Sequence, residues 1–119
     1  MSYKYYNANP LDKNDDDCTI RSISVALNMS WDNIYDMLSD AAQSVGTMQD
    51  NKYFIIDFLD SNFERVPTYG MTVEDVAEEY QDNIILITMK GHITCSKYGR
   101  IYDTFDCSER LAEYCWIVE

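Results

Sequence analysis

Thiol chemistry needs a cysteine that can lose its proton and a base to take it, and this chain offers four cysteines and a single histidine. Cys18 follows the acidic run Asp15-Asp16-Asp17 and opens an apolar-periodic stretch, so it falls where a helix would begin. Unpaired backbone amides and the positive end of the helix dipole favour a thiolate there, and the thiolate is the nucleophile. Such a nucleophile also needs a base within hydrogen-bond reach and a third group that holds the imidazole. The one histidine, His92, starts a strand-like run in Lys90-Gly91-His92-Ile93-Thr94.

Hairpin geometry selects the third group. With a two- or four-residue connection centred on Tyr98-Gly99, Asp103 falls opposite Thr94 and His92 opposite Phe105. Side chains alternate along a strand, so His92 and Asp103 then share a face as diagonal neighbours, about 7 to 8 Å apart at the backbone. A three-residue connection instead sets Asp106 opposite His92. Asp103 is therefore the expected orienting carboxylate and Asp106 the fallback.

Other groupings carry less. His92, Cys95, Cys107 and Cys115 contain zinc-ligand types, but His92 and Cys95 are three apart on a predicted strand and should face opposite ways. Cys107 falls at a strand end or turn, and Cys115 reads as core in an apolar final strand. The glycines lack phosphate-loop spacing. No metal and no cofactor is expected.

The elements that must position these residues are readable in outline. Tyr3, Tyr5 and Tyr6 before Asn9-Pro10 suggest an irregular arm or short strand and then a turn. Ile20, Ile23, Ala26 and Leu27 recur at helical spacing up to Asn28. Ser30 is a good N-cap for a second helix to about Val45, with stripe Ile34, Met37, Leu38, Ala41 and Val45. A third helical pattern covers 50 to 61, with Phe54, Ile55, Phe58 and Leu59 on one face. Residues 63 to 66 read as a short strand, and Thr72 with Asp75 as a capping box. After that the period changes to strands at 84 to 89, 93 to 97, 100 to 105 and 114 to 118, an antiparallel meander. Helices first and strands last predict one α+β domain over residues 1 to 119, with segregated layers.

The charge restricts partners. Twenty-one acidic against nine basic side chains give -12, which repels nucleic acid and anionic membranes and favours a basic protein surface. No run approaches the roughly 20 apolar residues of a membrane span, and no early basic-then-apolar segment suggests export. Free thiols in a reducing cytoplasm are expected.

The runs Asn9-Pro10, Asp17 to Ser24 and Ser30 to Tyr35, followed by Thr72 to Ala77, Gly91-His92-Ile93 and Gly99 to Thr104, resemble small papain-like cysteine peptidase homologues of phages and bacteria. The resemblance spans most of the chain. It implies a papain-like fold in a bacterial or phage-infected cell, with Cys18 as nucleophile, His92 as general base and Asp103 as orienting group, acting on a peptide or isopeptide bond. Papain-like enzymes usually carry a glutamine about six residues before the nucleophile, to donate to the oxyanion. Here that position is Asp12, an anion that repels developing negative charge, and Asn14 is the nearest amide substitute. The charges of Asp15, Asp16 and Asp17 are expected to cap the helix but to oppose the thiolate, against Arg21 alone. The alternative function is a papain-like scaffold without turnover, whose acidic, tyrosine-rich surface blocks a basic site such as that of a nucleic-acid enzyme.

Overall fold

The computed structural model describes residues 3–119, which form four helices and a six-stranded mixed sheet. Helix α1 (Cys18–Leu27) begins at the predicted residue and ends at Asn28, whose left-handed backbone (φ 54°) turns its amide back to Ser24 and Val25. Asparagine tolerates that conformation better than most residues with a Cβ. Helix α2 (Trp31–Ser44) starts on the predicted cap, Ser30 Oγ accepting from the Asn33 amide at 3.1 Å. It buries Ile34, Leu38 and Ala42, with Met37 and Ala41 half buried. Val45, expected on that stripe, is 68% exposed. The helix stops at Ser44, and the Val45 amide closes a tighter turn onto the Ala42 carbonyl, which ends the 3.6-residue period. Helix α3 (Lys52–Asn62), capped by Asn51, buries Phe54 and Leu59. The three helices share one core with Ile84, Leu86, Ile93, Cys95 and Trp116 from one face of the sheet.

Strands β3 (Ile84–Met89), β4 (His92–Lys97), β5 (Arg100–Asp103) and β6 (Tyr114–Ile117) fall on the four predicted runs, and β1 (Tyr3–Tyr5) and β2 (Glu64–Val66) complete the order β1-β5-β4-β3-β6-β2. Two features differ from the expectation of helices on an antiparallel meander. Strand β6 returns to the free side of β3, and β1 joins β5 in parallel, which makes the sheet mixed. A parallel partner from a distant segment needs no tight turn, so it leaves no local signal. The layers are also less segregated than expected. Helix α4 (Val73–Glu79), opened by the predicted Thr72–Asp75 capping box, covers the opposite face with Ile85, Ile87, Ile101, Cys107 and Cys115.

The β4–β5 connection fixes the geometry that matters for the site. Tyr98 (φ 52°) and Gly99 (φ 83°) both have positive φ, the signature of a two-residue type I′ turn. Lys97 pairs with Arg100, Ser96 with Ile101 and Cys95 with Tyr102. Extended one residue further, this register sets Asp103 opposite Thr94, on the face that carries His92.

Candidate functional site

Cys18 is the first residue of α1, and the first backbone bond of that helix runs from the Arg21 amide to the Asp17 carbonyl. The amides of Cys18, Thr19 and Ile20 are therefore left without an intrahelical partner. Asp17 holds the N-cap position but its carboxylate does not cap. It turns aside instead, accepting from Asn9 Nδ2 at 3.0 Å and Trp31 Nε1 at 2.8 Å and pairing with Arg21 Nε at 3.1 Å. Burial disfavours its charge, but the Asn9 and Trp31 bonds and Arg21 outweigh that and hold its carboxyl below the usual range. This corrects the expectation that the aspartate run caps the helix and opposes the thiolate: Asp17 is matched by Arg21, and Asp15 and Asp16 are exposed, where salt and water screen them.

Strand β4 presents His92 at its first residue, beyond the Lys90-Gly91 turn. His92 Nε2 lies 2.7 Å from Asp103 Oδ2, which leaves Nδ1 as the ring nitrogen for another partner. Asp103 is itself fixed on several sides. Its Oδ1 accepts from the Thr104 amide at 2.7 Å, and its carbonyl accepts from the Tyr6 amide at 2.9 Å and the Tyr3 hydroxyl at 3.2 Å. The Phe105 ring lies over the imidazole, 4.7 Å between centroids, and limits water's access to the ion pair.

The thiol and the imidazole shift one another in opposite directions. Burial pushes the Cys18 thiol up, but the approach and charge of His92, with smaller help from the Ile93 backbone and Arg21, bring it below its ordinary value. Burial likewise works against the imidazolium. Asp103 and Cys18 more than offset it, and His92 rises to about 9. The Asp103 carboxyl is pushed up by burial but held below its ordinary value, first by His92 and then by Thr94 and the Thr104 amide.

Ser22, without a role in the sequence reading, and Arg21, expected there only as a counter-charge, are buried and lock the helix to the strands. Ser22 Oγ lies 2.6 Å from the Cys18 carbonyl and 2.9 Å from the Ile93 carbonyl, so its one proton ties the first turn of α1 to the residue after His92. Arg21 Nη1 donates to Thr104 Oγ1 at 3.0 Å, next to Asp103. The available signal was two adjacent polar residues, Arg21 and Ser22, beside the apolar face of the first helix.

The remaining predicted residues fall elsewhere. Asp106 Oδ1 accepts from the Ser108 amide and hydroxyl at 3.0 and 2.6 Å and closes its own turn, because the two-residue hairpin gives the imidazole to Asp103. Asn14 is exposed. Neither it nor Asp12 lines the cleft that contains Cys18 and His92. Cys95 and Cys115 are buried in cores on opposite faces of the sheet, and burial pushes their thiols up to about 12 and about 11. The four-ligand set weighed for zinc therefore does not assemble. Cys107, expected in a turn without a role, stands 3.7 Å from Asp103 Oδ2.

The cleft over Cys18 and His92 measures about 420 Å³. Ile55, Ile56 and Met89 give it an apolar wall, and Asp16, Asp50, Glu113 and Lys52 line its rim. Among the described residues no helix is long and apolar enough to cross a membrane. No protein-family model, curated protein or solved structure matches the chain.

Proposed function

We propose that this chain is a papain-like thiol hydrolase that cleaves a peptide or isopeptide bond. One observation carries the reading: a helix-start thiol and a carboxylate-held imidazole meet in an open cleft, each moving the other toward its charged form. Cys18 Sγ attacks the carbonyl carbon, and the amides at the start of α1 receive the charge that develops on its oxygen. The imidazolium of His92 gives its proton to the departing amine as the C–N bond breaks, leaving a thioester. Water then attacks the thioester, His92 takes its proton, and the acid leaves as the thiolate is regenerated. Asp103 holds the ring throughout. The apolar wall and the three rim carboxylates suit a substrate with an aliphatic side chain and a nearby cation.

The test is labelling and turnover on the same protein. Iodoacetamide should modify Cys18 ahead of Cys95, Cys107 and Cys115, and a fluorogenic peptide library with aliphatic and basic residues should yield thiol-dependent cleavage. Equal labelling of all four thiols would contradict the reading.

A second reading is favoured by the lack of an amide side chain in the cleft lining, where papain-like enzymes place a glutamine. On that reading the -12 chain is a binding scaffold for a basic protein surface. Cys18→Ala separates the two, since a blocker keeps its effect without the thiol and an enzyme does not.

A further inference from the structure

Cys107 takes no part in the hydrolysis proposed above, yet it is among the most buried residues of the chain, at 1% exposure. Its Sγ stands 3.7 Å from Asp103 Oδ2, the same oxygen that lies 2.7 Å from His92 Nε2. The three side chains offer one nitrogen, one oxygen and one sulfur, all within 4.8 Å of one another. A mixed set of this kind suits a borderline-soft divalent ion, and zinc commonly takes three protein ligands with a fourth position open.

The sulfur–oxygen and nitrogen–oxygen distances can be set against that geometry. Tetrahedral bonds of about 2.1 Å to nitrogen and oxygen and about 2.3 Å to sulfur separate oxygen from sulfur by about 3.6 Å and nitrogen from oxygen by about 3.4 Å. The sulfur–oxygen spacing is already of that size. The nitrogen–oxygen pair, now joined through a proton, must open by about 0.7 Å, the difference between that 3.4 Å and the observed 2.7 Å.

An independent observation points into the same place. The Thr94 hydroxyl is fully buried between Asp103 and Cys107, close enough to act on both, yet no partner meets it at full hydrogen-bond geometry. A buried hydroxyl left short of full hydrogen-bond geometry gains from a further partner, and here it can hold a water in the fourth position. Phe105, which lies over the ring and is 40% exposed, is the side chain whose swing would admit an ion.

We propose that His92, Asp103 and Cys107 form a zinc-binding site whose occupation switches the Cys18 centre off. The ion displaces the proton on His92 Nε2 and the proton on Cys107 Sγ, so two protons leave for each zinc bound and no electrons move. The ring keeps one proton, on Nδ1, and loses the carboxylate that stabilised its cationic form. It can then no longer deliver a proton to a leaving amine. The switch rests on the hydrolase reading; the binding itself does not.

Because the chain has a single histidine, ¹⁵N-histidine labelling reports one imidazole and needs no substitution. Titration with Zn²⁺ should convert Nε2 to a metal-bound nitrogen while Nδ1 stays protonated. With Co²⁺ as the probe, a thiolate-to-metal absorption band should appear in the native protein and in Cys18→Ser, and should weaken at least tenfold in Cys107→Ser. Metal on Nδ1, a band that follows Cys18 instead, or an unchanged ring would overturn the site. The switch fails if zinc occupies Nε2 and hydrolysis continues. If the zinc-free protein hydrolyses nothing, the hydrolase reading fails and the ring spectrum still decides the metal site.

Discussion

Cys18 and Cys107 each follow an aspartate in the sequence and end up flanking one imidazole–carboxylate pair, but they are opposite in character. Cys18 opens a helix beside the ring, with Arg21 nearby, and its thiol is lowered despite burial. Cys107 packs on the other face of the sheet against the carboxylate. There, burial first and then the Asp103 charge push its thiol up to about 12, so it stays protonated and donates to Asp103. The lesson is that nearness to an imidazole–carboxylate pair does not by itself make a thiol reactive. What decides is which member of the pair it meets, the cation or the anion.

The largest effect should come from removing the thiol that meets the cation. Cys18→Ala should lower hydrolysis by about 10⁴-fold or more, measured as peptide cleavage, because no other thiol can take its place. Next in size is the support of that thiol's helix. Arg21→Met would leave Asp17 as a buried unpaired carboxylate, and should cost about 3 kcal/mol of unfolding free energy in a denaturant titration. His92→Ala should erase the contrast between the two cysteines: alkylation of Cys18 at pH 7 should slow by about tenfold, toward an ordinary buried thiol. Smallest is Ser22→Ala, which removes the tie to the Ile93 carbonyl. It should cost about 1 kcal/mol of stability and reduce kcat more than it raises KM, since what loosens is the placement of Cys18 against His92.

The parts of this arrangement that were legible in sequence are the locally specified ones. Ser30, Asn28 and the Thr72–Asp75 box marked helix ends because capping uses residues three or four apart. Tyr98-Gly99 marked the hairpin, and its length alone chose Asp103 over Asp106. The illegible parts depend on contacts between distant segments. Strand β1 has three residues and a partner about a hundred positions away, Ser22 reaches Ile93 across 71, and Arg21 reaches Thr104 across 83. Asn14 was chosen by position relative to Cys18, and position along the chain says nothing about which way an exposed loop faces. Cys107 could be placed only at a strand end or turn, because such a residue shows its neighbours only after the sheet has formed.

The central claim is that Cys18 and His92 share their charge, and the pH profile of Cys18 alkylation tests it most directly. The thiolate should form as pH rises through a value below the ordinary thiol range of about 8.5, because His92 lowers it. The imidazolium is present below about 9 and lost above it, so a second inflection should appear near that pH as the cation leaves the thiolate. In Asp103→Asn, which withdraws the main partner of the cation, this second inflection should move to lower pH. Two inflections, with the lower one under the ordinary thiol value and the upper one sensitive to Asp103, are the predicted result. A single inflection near about 8.5 that ignores both His92→Ala and Asp103→Asn would contradict the account.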